Sequence, residues 1–221
     1  MRKLVFVIIN YNDFNTTKRL LYNIKDYKVI DKIYVVDNHS TDESYSKLKK
    51  LKINRYEVIE TPVNKGFAYA LNVGAKKAIE EFNDVDIIFS NADIIIHSNE
   101  DLEDLKKTLD KRDVGLVAPV VYENGGLNRG WKLPSPKEEV LGNLPVIGKR
   151  FSKKLHYKES HYKSDYSQVD VISFCFFLIK SEILEKINYF DEETFLYYEE
   201  NITASKLKRT KYKLLIDNNS T

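Results

Sequence analysis

At 221 residues the chain is long enough to bury one sizeable α/β core and short for two. Its 43% hydrophobic and 31% charged residues exclude a disordered chain, and 35 basic against 33 acidic side chains leave no global field to draw nucleic acid as a partner. One cysteine, Cys175, closes no internal disulfide, and no apolar run approaches the roughly 20 residues of a membrane-spanning helix, so a cytoplasmic chain is expected, touching membrane only peripherally at its inner face.

The first apolar run, Leu4 to Ile9, is too brief for a signal peptide and predicts a strand buried on both faces. Leu20, Leu21, Ile24 and Tyr27 then recur at helical spacing. Ile33 to Val36 predicts the second strand, and Ser40-Thr41-Asp42 offers capping groups to a helix carrying Tyr45, Leu48 and Leu51. A third strand at Tyr56 to Ile59 leads through Gly66 to a helix with Phe67, Ala70, Leu71, Ala75, Ala78 and Phe82 on one face. Asp86 to Phe89, a helix over Asn99 to Asp110, and Val114 to Ala118 before Pro119 continue the series.

From Tyr122 to Ser167 glycine, proline and lysine predict a long irregular excursion. An apolar strand-like segment is expected over Val169 to Ile179, short helices at Ser181 to Lys186 and Glu199 to Arg209, and a last strand at Tyr212 to Ile216. The chain stops after Asn218-Asn219-Ser220-Thr221 with no closing helix, and a shortened C-terminus is expected. Such alternation predicts a mainly parallel central sheet with helices on both faces, whose ligands bind outside the carboxyl ends of the strands.

Three polar clusters follow strands: Asn10-Tyr11-Asn12, Asp37-Asn38-His39-Ser40-Thr41-Asp42, and Asn91-Ala92-Asp93. Helix caps and turns explain any one of them; three at one sheet edge point to a site. Asn64-Lys65-Gly66 precedes the third helix, whose N-terminal amides favour an anion. No G-x-G-x-x-G follows the first strand and no G-x-x-x-x-G-K-[ST] occurs, which argues against a dinucleotide oxidoreductase or a P-loop protein.

With Ile8-Ile9-Asn10-Tyr11-Asn12, Val35-Val36-Asp37-Asn38-His39-Ser40, Asn64-Lys65-Gly66-Phe67-Ala68, Ser90-Asn91-Ala92-Asp93 and Phe195-Leu196-Tyr197-Tyr198-Glu199-Glu200 in this order, the sequence resembles the inverting family 2 glycosyltransferases. The likeness is strongest to rhamnosyltransferase-like and capsular-polysaccharide enzymes, and it implies one GT-A domain, Rossmann-like, spanning 1–221. Within it 1–95 would be the nucleotide-binding half and 96–221 the acceptor side.

The resemblance further implies that Asn10, Tyr11, Asp37, Asn38, Ser40, Asn64, Gly66 and Asn91 line the site of a UDP- or dTDP-sugar. Tyr11 would offer a face to the pyrimidine and Asp37 an acceptor for its ring N–H. Asp93, where the family carries D-x-D or N-x-D, would bind Mg or Mn on the diphosphate, one carboxylate sufficing when phosphate oxygens and water complete the shell. Glu200 would be the base and Glu199 an orienting partner; an acidic first helix turn is the plainer alternative.

Two departures from the family pattern, Ile202 and Phe174, fall on the acceptor side. A saccharide acceptor, lipid-linked, in surface or capsular polysaccharide synthesis is implied by the resemblance alone. Lys149, Arg150, Lys153, Lys154, His156, Lys158, His161 and Lys163, interleaved with Phe151, Tyr157 and Tyr162, read as a solvated loop or as a flap for an acceptor pyrophosphate or a membrane surface, giving a peripheral contact through 149–163. The rivals are a catalytically silent donor-binding relative, a fragment, and a sugar nucleotidyltransferase, whose glycine-rich opening loop is absent.

Overall fold

The computed structural model describes residues 2–123, 125–142 and 154–220. The chain runs through β1 (Lys3–Asn10), α1 (Phe14–Ile24), β2 (Lys32–Asp37), α2 (Ser44–Lys49), β3 (Tyr56–Glu60), α3 (Phe67–Phe82), β4 (Val85–Asn91), α4 (Asn99–Leu109) and β5 (Val114–Pro119). A small hairpin, β6 (Val121–Glu123) and β7 (Gly126–Asn128), then α5 (Pro136–Gly142) and a 3-10 turn at Glu159–Tyr162 occupy the expected excursion. It closes through β8 (Tyr166–Val169), β9 (Phe176–Lys180), α6 (Ser181–Lys186), α7 (Glu199–Leu207) and β10 (Lys213–Asp217).

Eight strands form one sheet in the order β3-β2-β1-β4-β9-β5-β10-β8. β1 pairs in parallel with β2 and β4, β2 with β3, and β5 with β10; only β9, wedged between β4 and β5, and β8 at the outer edge run the other way. The two-residue alternation of a strand sorts β1 between two cores. Val5 and Val7 pack toward α3, whereas Leu4, Phe6 and Ile8 join Leu20, Leu21, Leu102 and Leu105 of α1 and α4. The mainly parallel sheet with helices on both faces is therefore the architecture observed.

Asp13 caps α1 by accepting from the Thr16 amide, and Ser98 with Asp101 forms a reciprocal capping box on α4. At the amino ends of the strands Asp86 is fully buried. Lys106 Nζ donates to it at 2.6 Å, and Arg2 Nε lies 2.8 Å away in an ion pair that is not aligned as a hydrogen bond.

The expected continuous strand over Val169 to Ile179 is two strands in different places. β8 pairs with β10 at the edge, and β9 sits at the centre against β4 and β5. The chain between them passes two other strands, leaving β8 at Val169, opposite Leu214 near the amino end of β10, and entering β9 at Phe176, opposite Ser90 near the carboxyl end of β4. Hydrophobicity alone did not reveal the break because Val171, Ile172 and Phe174 are as buried as the strands they join.

Candidate active site

The loops after β1 and β2 are knitted by their own polar residues. Asn10, almost fully buried, donates to Asp37 Oδ2 at 2.6 Å and to Ser40 Oγ at 3.2 Å, and its Oδ1 accepts from Thr17 at 2.7 Å. Ser40 donates to Asp37 Oδ2 through its hydroxyl and to Oδ1 through its amide, and its oxygen also accepts from the Asn12 amide. One donor and two acceptor sites are all a serine hydroxyl has, so Ser40 is saturated.

Asp37 consequently has no exposed surface, and three internal donors occupy its oxygens. The direct contact with a donor's base expected of it is not offered in this arrangement; the carboxylate braces Asn10 and Ser40 instead. Tyr11 is half exposed beside them and presents its ring outward.

Asn38 reaches the next loop, donating to Asn64 Oδ1 at 3.0 Å and to the Gly66 carbonyl at 3.1 Å. Asn64 Oδ1 also accepts from the Gly66 amide. Gly66 has φ +100°, and a Cβ there would lie 2.2 Å from the Phe195 carbonyl oxygen. Glycine is thus required here by the close approach of the protein's own chain. The Phe67 amide at the start of α3 donates to that same carbonyl at 3.0 Å, so this amide is satisfied internally rather than held open for an anion.

Asn91 ends β4 with its amide bonded to the Cys175 carbonyl at 2.8 Å. Asp93 follows as an exposed carboxylate, and among the described residues no hydrogen bond or ion pair engages it. Nor do the described residues contain a group of three or more His, Cys, Asp or Glu side chains placed to hold a metal. The arrangement fits a hard cation shared with phosphate oxygens and water, and does not fit an all-protein cage. A cleft of about 580 Å³ opens on one side of Asp93 between Ile96, Leu102, Leu105, Val120 and Phe176. Its walls are mainly apolar, with His97, Asp101 and Ser220 also lining it.

Glu199 and Glu200 open α7. Glu199 is buried, its Oε1 makes no hydrogen bond, and burial pushes its carboxyl up from the usual range, with the neighbouring Glu200 charge adding to the shift and backbone amides opposing it. Glu200 is partly exposed, with Oε1 3.5 Å from the Phe174 amide. Asn91 and Glu200 thus both bond to the turn at 174–175. Phe195 to Tyr198, just before α7, are all exposed, and Tyr197 and Tyr198 both adopt φ +73°, a left-handed conformation costly for aromatic residues.

A strand-end polar cluster braced by Asp37, an aspartate after β4 without a partner among the described residues, and a carboxylate pair beside the turn at 174–175 make up the candidate site. The family model described as "Glycosyl transferase family 2" matches residues 5–188. The chain belongs to glycosyl transferase family 2. A relative from Haloferax volcanii, "Low-salt glycan biosynthesis hexosyltransferase Agl10", is 24% identical over 197 residues, 89% of this chain and 59% of its own.

Among solved structures, a mannosyltransferase from Pyrobaculum calidifontis in complex with GDP-Man and Mn2+ is similar at 18% identity with TM-score 0.70 over 100% of this chain and 56% of that one. S. aureus TarS 1-349 in complex with UDP-GlcNAc follows at 17% identity and TM-score 0.64 over 97% and 55%. This chain spans little more than half the length of this relative and of these two structures, and the likeness to the structures is one of fold.

Of the basic segment, Lys149, Arg150, Phe151 and Lys153 lie outside the described residues. In the rest, the rings of Tyr157 and His161 stack at 4.2 Å, and Arg129 lies 4.1 Å over Tyr162 while pairing with Glu159. No helix among the described residues is long and apolar enough to cross a membrane. Sequence reasoning missed Thr17 behind Asn10, and Trp131, whose Nε1 donates to Asn201 Oδ1 at 3.1 Å. The one signal for the latter was a lone tryptophan directly after a glycine in the excursion.

Proposed function

We propose that this chain is the donor-binding and catalytic part of an enzyme that moves a hexose from a UDP- or dTDP-sugar to a saccharide hydroxyl, with inversion at the anomeric carbon. The observation that supports the reading is that Asn91, two residues before Asp93, and Glu200 both bond to the same short turn, through the Cys175 carbonyl and the Phe174 amide. A cation-holding group and a base must face one reaction centre from two directions.

Tyr11 covers the pyrimidine, and Asn10, Asn38, Ser40, Asn64 and Gly66 form the rigid floor for base and ribose, braced by Asp37. Asn91 and Asp93 meet the diphosphate. Asp93 would hold Mg or Mn, which when bound supplies positive charge to the departing diphosphate. Glu200 takes the proton of the acceptor hydroxyl as that oxygen bonds to the anomeric carbon and the bond to the diphosphate breaks on the opposite face. Glu199, behind it, orients the pair and discourages a second negative charge.

Residues 1–95 then carry the donor and 96–221 the acceptor, a lipid-linked saccharide in rhamnosyltransferase-like surface or capsular polysaccharide synthesis. The work is done in the cytoplasm at the inner membrane face, with 149–163 as the peripheral contact. Nucleoside diphosphates titrated calorimetrically with and without Mn2+ test the donor reading. UDP or dTDP is expected to bind at least about tenfold more tightly than GDP or ADP, a difference of roughly 1.4 kcal/mol. Equal affinities across the four would sink it.

A further inference from the structure

The front of α7 has little to hold it. Its buried apolar side chains, Ala204 and Leu207, lie in the second half, its N-cap residue Tyr198 makes no side-chain cap, and the two residues before it are in left-handed conformations. In the first turn the buried residue is Glu199, which brings an unpaired oxygen rather than apolar area. The direction in which Glu200 points is therefore set by polar contacts from outside the helix.

Trp131 supplies contacts on both sides of Glu200. On the helix side its indole N–H donates to Asn201 Oδ1, one residue beyond Glu200. On the strand side its backbone makes a two-way bridge with Val171, at 3.0 and 2.9 Å, three residues before the Phe174 amide that faces Glu200 Oε1. Gly130, at φ +78°, lets the chain come this close, because a Cβ there would stand 2.4 Å from the Val171 carbonyl oxygen. Lys132, the next residue, is tied in turn to the Leu155 carbonyl. One residue of the long excursion thus grips both the helix that carries the carboxylates and the segment that bonds Glu200 and Asn91.

We propose that Trp131 is the positioning residue for the base, clamping the first turn of α7 to residues 171–174 through Asn201 and Val171. It touches neither donor nor acceptor, and it acts by fixing the direction of Glu200. The inference rests on Glu200 being the base of a sugar transfer, and it adds a residue outside the family-like motifs.

The test uses Trp131→Phe, which keeps the ring and loses the N–H, Asn201→Leu, which loses the acceptor, and the double variant. Release of nucleoside diphosphate from the best donor of a UDP-, dTDP- and GDP-sugar panel gives kcat and donor KM. Calorimetry with UDP and Mn2+ gives donor-site affinity, and thermal unfolding gives stability. Each single variant is expected to lower kcat about 3- to 10-fold, the worth of one hydrogen bond, with donor KM and UDP affinity unchanged and the double variant no worse than either single. Wild-type kcat in Trp131→Phe, additive losses, or a fall in UDP affinity matching the fall in rate would overturn the positioning role. A wild-type chain that turns over no donor in the panel would instead overturn the reading of Glu200 as base, and this inference with it.

Discussion

Two carboxylates are buried to nearly the same degree at opposite ends of one sheet, and the protein treats them in opposite ways. Asp86, at the amino ends of the strands, is met by the Lys106 ammonium and the Arg2 guanidinium. Glu199, at the carboxyl end, has Glu200 beside it and an oxygen without a partner. Among the described residues no ion pair reaches Glu199, Glu200 or Asp93. Charge at the base of the sheet is neutralised because a lone buried carboxylate there would cost several kcal/mol and serve nothing. At the candidate site it is left uncompensated, as the proposed roles of Asp93 and Glu200 require.

The sharpest way to break this contrast is Glu200→Gln, which keeps shape and removes the proton acceptor. Transfer is expected to fall about 10²- to 10⁴-fold with UDP affinity unchanged, as measured by product formation and calorimetry on the same samples. Near-wild-type turnover, with the loss appearing in Glu199→Gln instead, would exchange the two roles.

At the other end of the sheet Asp86→Asn leaves Lys106 buried without its counter-charge. A loss of about 3–5 kcal/mol is expected in denaturant unfolding, with the UDP affinity of the remaining folded protein unchanged. A loss under about 1 kcal/mol would show that Arg2 and Lys106 reach water easily and that the pairing is not what holds them.

Asp93→Ala should be nearly silent in stability, within about 0.5 kcal/mol, because the side chain is exposed and makes no internal contact. It should, however, erase the gain in UDP affinity that Mn2+ provides. An undiminished Mn2+ effect would take Asp93 out of the cation site.

The smallest effect separates the two ends by pH. An unfolded glutamate titrates near 4.5, and burial raises Glu199 above that. Between the two values the folded state holds more protons than the unfolded one, so the contribution of Glu199 to stability falls as pH rises through that interval. Glu199→Gln removes the effect. Its midpoint of thermal unfolding should match wild type near pH 4 and exceed it by a few degrees at pH 7 to 8, about 2–4 °C for each kcal/mol relieved. A difference that does not change with pH would mean that Glu199 titrates as an ordinary surface carboxylate.

Much of the site was readable before any coordinates. Asn10, Asp37, Ser40 and Asn38 do converge, because parallel strands carry the residues that follow them to one edge. The role of Asp37 was not readable. Whether a carboxylate faces ligand or loop depends on which donors surround it, and Asn10 and Ser40 come from different strand ends. At Gly66 the group that comes close is Phe195, far away in sequence.

What the sequence determined by itself was local: strand against helix, the order of the elements as far as β5, a first strand buried on both faces, and the polar clusters after β1, β2 and β4. Periodicity and turn chemistry are properties of a few neighbouring residues, and they survive without knowledge of the rest. The tertiary structure alone decided that β9 enters the sheet antiparallel between β4 and β5, that residues 174–175 bond to Asn91 and Glu200, and that Glu199 is buried while Glu200 is not. It also decided that Trp131 reaches Asn201 seventy residues away. Each of these is a contact between segments whose own patterns allow many partners, and close packing of the whole core leaves room for one.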